Sequence, residues 1–104
     1  MDTQKIKKPL NTFVKIATNS VNLDEIILYG SFARGEASTW SDIDLAVIGS
    51  ADIDSLYTIA DSIDSQFNFD IRSYQRDQFD AISPLSIYSE IKREGISIYS
   101  KDSH

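Results

Sequence analysis

The stretch Leu28–Gly49, LYGSFARGEASTWSDIDLAVIG, decides the fold of this chain. It holds the end of one short apolar run, IILYG, then a loop of small residues, then a second apolar run, IDLAVIG. Asp42 and Asp44 lie in or beside the second run, which otherwise has the composition of a buried strand. A carboxylate is costly to bury unless something compensates its charge. The two aspartates therefore indicate a site at this point of the sheet.

The spacing of the two aspartates predicts that they act together. Residues i and i+2 of a strand project from the same face, so Asp42 and Asp44 point one way while Ile43 and Leu45 point the other. Two neighbouring carboxylates repel each other and become stable when a divalent cation lies between them. Magnesium prefers such oxygen ligands, usually one or two carboxylates together with phosphates and waters. The pair predicts a magnesium site.

Asp70 is the candidate for a third carboxylate. It lies on the polar face of a predicted strand, Phe67–Tyr74, which can pair beside the predicted strand Ile43–Ile48. A third ligand would complete a two-metal site, in which one ion activates the nucleophile and the other steadies the leaving group. The alternative is that Asp70 is solvated on an open face of the sheet.

A second D-x-D pair, Asp52 and Asp54, falls where a helical pattern begins. Aspartate is favoured there as a cap and by the helix dipole, and residues i and i+2 of a helix do not share a face. We therefore interpret this pair as structural. Four further aspartates are interpreted as caps or solvated residues: Asp61, Asp64, Asp77 and Asp80.

The loop before the aspartate pair has the residues of a phosphate-binding turn. Gly30 permits a close backbone approach, and Ser31 offers a hydroxyl and an N–H at the first turn of a short helix. Arg34 is open to two interpretations, a charge-assisted contact to phosphate or a surface salt bridge. Phe32 and Trp40 are predicted to pack rather than to stack on a base.

The remaining patterns predict a small α/β (α+β) fold, a sheet flanked by helices, in a single domain over residues 1–104. Apolar spacing predicts helices over about 8–20 and within 51–64, and strands over Glu25–Tyr29, Ile43–Ile48 and Phe67–Tyr74. A last helix is predicted from Pro84 in its first turn to Gly95 at its end, followed by ISIYS as a short strand or extended tail.

Composition and charge exclude several classes of protein. No apolar run approaches the roughly 20 residues that span a bilayer, and no secretory signal is evident, so we expect a cytoplasmic protein without a membrane partner. The absence of cysteine excludes disulfides and thiolate metal sites. A net charge of −6 argues against long nucleic acid as a main ligand, because phosphate contacts need a basic surface. The one basic cluster, Lys5, Lys7 and Lys8, is interpreted as a solvated helix end.

Taken together, "GSFARG" and "SDIDLAV", with ten residues between Ser31 and Asp42, resemble the minimal nucleotidyltransferase (MNT) domains of the polymerase-β-like superfamily. The resemblance covers Leu28 to about Tyr74 and implies a polymerase-β-like core, a small mixed sheet flanked by helices. It also implies roles for the residues singled out above. Gly30 and Ser31, with Arg34, would bind the triphosphate of ATP, and Asp42, Asp44 and Asp70 would be the catalytic carboxylates that hold two magnesium ions.

The resemblance further implies transfer of AMP from ATP to a hydroxyl group. Larger relatives carry an additional helical domain for the acceptor, so here we expect another chain to supply it. Stand-alone MNT proteins are similar to the antitoxins of HEPN/MNT pairs. That likeness implies a hetero-oligomer with a HEPN-type ribonuclease toxin, which is neutralised by transfer of AMP to a tyrosine.

Two alternatives stay open at this point. One is a non-catalytic antitoxin that binds the HEPN partner and blocks it sterically. The other is a small-molecule nucleotidyltransferase of the aminoglycoside type. Labelled ATP distinguishes these alternatives from AMP transfer to the toxin. Label on the partner protein supports that transfer, no transferred label supports the steric antitoxin, and label on a small acceptor supports the small-molecule enzyme.

Overall fold

The computed structural model describes residues 3–83, 85–86 and 89–102. After a 3-10 turn at Thr3–Ile6, helix α1 runs over Lys7–Ser20 and buries a stripe that includes Leu10, Phe13 and Ala17. This apolar spacing of three and four residues is what predicted the helix. The observed start differs by one residue from the predicted one.

Four strands form one mixed sheet in the order β3-β2-β1-β4. They are β1 (Leu23–Tyr29), β2 (Ile43–Gly49), β3 (Phe69–Tyr74) and β4 (Ile96–Ser100). β1 pairs antiparallel with β2 and β4, whereas β2 and β3 are parallel. The prediction of a small mixed sheet is confirmed, and the segment ISIYS is a strand rather than a tail.

Helices cover both faces of the sheet, which is why β2 is apolar along its length. The remaining helices are α2 (Ser31–Arg34), α3 (Ile53–Asp61), α4 (Arg76–Asp80) and α5 (Glu90–Glu94). Leu45 and Val47 face the core formed with α1 and α3. Ala46 and Ile48 face a smaller cluster that includes Phe79 of α4 and Ile91 of α5. Asp44 shares this second face, since side chains alternate along the strand.

The C-terminal helix is shorter than predicted. Residues 85–86 lie in a turn and α5 begins only at Glu90, so the prediction is wrong at residues 85–86 and confirmed over Glu90–Glu94. Pro84 itself lies outside the described residues. Gly95 ends the helix as predicted. Only glycine fits at this position, because a Cβ there would lie 2.3 Å from the Ile91 carbonyl oxygen and 2.4 Å from Ile27 Cγ2.

Helix α4 was not predicted. The sequence holds a weak signal for it, since Gln75 and Gln78 form a capping box in which the Gln75 N–H donates to Gln78 Oε1 at 3.0 Å. Such a short helix shows too few apolar repeats to be found by periodicity. Among the described residues, no helix has both the length and the apolar character needed to cross a membrane.

Candidate active site

Gly30 brings the backbone of the small-residue loop against the carboxylate of Asp44. It connects β1 to α2 with φ 78° and ψ −155°, a conformation that is essentially restricted to glycine. A Cβ at this position would lie 2.1 Å from Asp44 Oδ2. Glycine is therefore required both by the backbone conformation and by the neighbouring carboxylate. Within the chain, the close neighbour of Gly30 is Asp44, and the predicted approach of the Gly30 backbone to phosphate stays a prediction.

The sheet register places the predicted carboxylates together. Tyr29 of β1 is opposite Asp44 of β2, and Asp44 is in turn opposite Asp70 of β3. The prediction that the strand with Asp70 pairs beside the strand with Asp44 is thus confirmed. Asp42 directly precedes β2 and is exposed, as is Asp70, whereas Asp44 is half-buried.

The carboxylates interact electrostatically across this row. The pKa of Asp44 is raised from 3.8 to about 6, first by burial and then by the negative charges of Asp70, Asp42 and Glu90. Arg72 acts in the opposite direction and lowers it. A cation close to Asp44 would relieve both the burial cost and the repulsion.

The donor set fits a hard divalent cation, although the side chains do not converge on one point. Among residues 3–83, 85–86 and 89–102, no group of three or more acidic or histidine side chains is arranged as a ready-made metal cluster. Like charges favour splayed side chains, while the register keeps the Asp44 and Asp70 backbones adjacent. The carboxylate oxygens of these aspartates are the kind of ligand that Mg²⁺ prefers. The metal role of Asp42, Asp44 and Asp70 stays a prediction.

Arg34 forms ion pairs in this conformation. Its guanidinium donates to Glu36 at 3.0 Å, to Glu90 at 2.8 Å and to Glu94 at 3.0 Å. The surface salt bridge, one of the two interpretations left open by the sequence, is therefore present, and the nucleotide contact stays a prediction. The ion pairs also join α2 to α5 and hold Glu90 on the side of Asp44.

Tyr29, Arg72 and Glu90 were missed by the sequence analysis. The Arg72 guanidinium lies 5.9 Å from the centre of the Tyr29 ring, and interaction first with Tyr74 and then with Tyr29 raises its pKa. The Tyr29 hydroxyl is buried without a hydrogen-bond partner among the described residues, and burial raises the pKa of that phenol above its usual range. Strand alternation from Asp70 could have identified Arg72, but no local pattern indicates Glu90.

Two other predictions concern residues near the loop. Phe32 is buried and packs edge-to-face on Phe67 with ring centres 5.0 Å apart, so its predicted packing role is confirmed. Trp40 is 92% exposed, and the prediction that it packs is wrong. The loop turns the indole outward, and a hydrophobic side chain in a surface turn has no core within reach.

The second aspartate pair lies at the opposite end of β2 from Asp44. Asp52 is the N-cap of α3, where its carboxylate accepts a hydrogen bond from Ser55 at 3.3 Å, and Asp54 is in the first turn. Gly49 ends β2 before α3 begins, and the strand alone spans about 20 Å. This position agrees with a structural role.

Comparison with protein families gives a match over almost the whole chain. The family model described as "Polymerase beta, Nucleotidyltransferase" matches residues 11–104. No curated protein matches the chain.

Several solved structures share the fold. A Sulfolobus solfataricus protein provisionally assigned as a nucleotidyltransferase has 20% identity and a TM-score of 0.62, over 92% of this chain and 81% of that chain. A toxin–antitoxin with AMP-PNP has 21% identity and a TM-score of 0.66, over 88% and 73%. A mutant of the toxin–antitoxin MntA-HpeT, with two Asp-to-Glu substitutions two positions apart, has 18% identity and a TM-score of 0.65, over 88% and 73%. Identities this low show a common fold.

Proposed function

This chain belongs to the polymerase beta nucleotidyltransferase family, and we propose that it transfers AMP from ATP to a hydroxyl group of a partner protein. The partner in this proposal is a HEPN-type ribonuclease toxin, its acceptor is a tyrosine, and the transfer neutralises it. One observation carries the proposal: Asp44, which is in register with Asp70, lies against the glycine turn that opens α2. A triphosphate on the turn would therefore meet the carboxylates directly.

The transfer itself needs little covalent chemistry from the protein. The acceptor hydroxyl gives up its proton to solvent as its oxygen attacks the α-phosphorus of ATP and forms a new P–O bond. The bond between the α-phosphorus and the oxygen that bridges it to the β-phosphorus breaks, so that pyrophosphate leaves. Catalysis of this kind consists mainly of positioning and charge neutralisation.

Each site residue has a role in this scheme. The Ser31 hydroxyl and the backbone N–H groups beside Gly30 would hold the triphosphate. Arg34 would join them if a phosphate group replaced the glutamates with which it now forms ion pairs. Asp42, Asp44 and Asp70 would hold magnesium, which when bound neutralises the phosphate charge. Asp70, on the edge strand β3, would lie nearest the acceptor hydroxyl and orient it.

A protein acceptor is supported by two further observations. The structural neighbours include a toxin–antitoxin bound to AMP-PNP, and a toxin–antitoxin in which two aspartates with D-x-D spacing were substituted. The net charge of −6 suits a partner with a basic, RNA-binding surface. We place the reaction in the cytoplasm, where ATP is available.

Labelled ATP tests the proposal. The chain, magnesium and the candidate toxin are incubated with ATP that is labelled either at the α-phosphate or at the γ-phosphate. Label on the toxin from α-labelled ATP, and none from γ-labelled ATP, is the expected result, because the γ-phosphate leaves in pyrophosphate. The Asp44→Asn variant is the negative control.

The other outcomes contradict the proposal in distinct ways. Inhibition of the toxin without label on it supports a steric antitoxin. Label on an added aminoglycoside, but not on the toxin, supports a small-molecule nucleotidyltransferase. Label from the γ-phosphate would indicate a kinase.

A further inference from the structure

Trp40 is presented to solvent by a well-defined turn. The Ser41 N–H donates to the Ser38 carbonyl at 3.1 Å, and the Ser38 N–H donates to Ser41 Oγ at 2.9 Å. The Trp40 N–H in turn donates to Ser38 Oγ at 3.3 Å. These hydrogen bonds hold the backbone on both sides of the indole, which is 92% exposed. The exposure of Trp40 is thus a property of a hydrogen-bonded turn.

The turn lies at the rim of the candidate active site. Trp40 precedes Asp42 by two residues, so their Cα atoms are at most about 7 Å apart. The loop that carries Trp40 connects α2 to β2, and both of these elements contribute site residues. A large molecule that brings a hydroxyl group to Asp44 and Asp70 must therefore pass close to the indole.

We propose that Trp40 is an anchor for the acceptor protein, an inference that rests on the proposed function. Tryptophan buries a large area at little cost in side-chain entropy and is enriched among residues that dominate binding energy at interfaces. The chain carries a net charge of −6, so the complementary surface is an apolar pocket with basic groups around it, next to the hydroxyl that receives the nucleotide.

The exposure favours a protein over the base of the nucleotide as the occupant. Small ligands bind in clefts that bury most of their surface, whereas an indole that is 92% exposed is covered by almost nothing of its own chain. A protein partner brings the other walls of the pocket with it.

The single tryptophan of the chain makes a direct test available. The protein is labelled with 5-fluorotryptophan, so its fluorine NMR spectrum contains one signal, from position 40. Magnesium–AMP-PNP is added first, and the unlabelled toxin of the transfer assay second. We expect the signal to shift with the toxin and to stay unchanged with the nucleotide.

Variants measure the contribution to affinity. We expect Trp40→Ala to weaken toxin binding by about tenfold or more, equivalent to about 1.4 kcal/mol, with nucleotide affinity unchanged. Trp40→Phe should recover part of the loss. Ile53→Ala is the matched control, since Ile53 is also an exposed apolar residue but follows the far end of β2, and it should bind the toxin like the wild type.

Several results would overturn the inference. A signal that shifts with AMP-PNP would assign the indole to the base, and one that shifts with protein concentration alone would assign it to a second copy of the chain. Unchanged toxin affinity in Trp40→Ala would remove Trp40 from the interface while leaving the proposed function intact. If the wild-type chain neither binds nor labels the toxin, the proposed function fails and this inference falls with it.

Discussion

At the scale of single residues, Gly30 and Asp44 constrain each other. We predict that Gly30→Ala lowers the free energy of unfolding by about 3 kcal/mol, because its φ and ψ are essentially restricted to glycine. The new Cβ would also displace the Asp44 carboxylate, which lies 2.1 Å from its position, so transfer activity should be lost. Denaturant unfolding and the α-label assay measure the two effects.

Gly35→Ala is the matched control for this prediction. Gly35 also has a positive φ, 74°, but a Cβ there would have no atom within 4 Å. We expect a cost of about 1 kcal/mol from the left-handed backbone alone, with activity retained. Equal effects of the two substitutions would show that the contact with Asp44 is unimportant.

The raised pKa of Asp44 has a consequence for stability. Because its pKa is about 6 in the folded chain against 3.8 ordinarily, the folded state holds the proton more tightly than the unfolded state. Stability therefore falls as pH rises between about 4 and 6, and the full cost is present above that range. Asp44→Asn removes the charge.

We predict that Asp44→Asn, measured with a chelator present, is more stable than the wild type at pH 7 by about 1 kcal/mol, a value reduced for the partial solvation of the carboxylate. The difference should vanish towards pH 4, where the wild-type carboxyl is neutral. Transfer should be abolished, and Asp42→Asn should likewise be folded and inactive. Unfolded variants would instead indicate that the pair is structural.

Asp70→Asn separates nucleotide binding from transfer. Asp70 is exposed on the edge strand, so its loss should leave the affinity for magnesium–ATP within about tenfold, or about 1.4 kcal/mol. The transfer rate should nevertheless fall by orders of magnitude, because the acceptor hydroxyl is no longer aligned. Calorimetry measures the affinity for magnesium–ATP, and the label assay on the same preparation measures the transfer rate. Full activity would exclude Asp70 from the site.

At the scale of secondary-structure elements, identical D-x-D spacing has different meanings on a strand and on a helix. Asp42 and Asp44 lead into β2 at the site, whereas Asp52 and Asp54 begin α3 beyond the other end of that strand. We predict that the double variant Asp52→Asn, Asp54→Asn keeps near wild-type transfer. Its stability loss should be at most about 1 kcal/mol, because Asp52 makes no side-chain hydrogen bond to the helix backbone. An inactive double variant would contradict this placement of the site.

At the scale of the whole molecule, charge should govern association with the partner. With a net charge of −6, the chain should attract a basic toxin over a distance, and salt screens this attraction. We predict that the association rate falls as sodium chloride is raised from low to physiological concentration, while the dissociation rate changes less. Stopped-flow mixing of the two proteins measures both rates. An association rate independent of salt would show that charge does not steer the encounter.

Local patterns in the sequence were sufficient for much of the fold and for part of the candidate site. Alternation along the predicted strand Phe67–Tyr74 placed Asp70 on its polar face, and helical spacing identified α1 to within one residue. The segment from Gly30 to Asp44 could be interpreted as a candidate site because its residues lie close together in the sequence, so that their types and spacing are visible without the fold. The alternation and the helical spacing have periods of two to four residues, which is the range over which backbone geometry alone determines the direction of a side chain.

Tertiary structure decided the contacts between residues distant in sequence. Only the parallel pairing of β2 and β3 puts Asp70 beside Asp44, and only the packing of α5 brings Glu90 to Arg34 and into the field of Asp44. The outward direction of Trp40 likewise depends on how its turn sits relative to the core. These features depend on which surfaces bury each other, and the local sequence determines the surface of each element but not its partner.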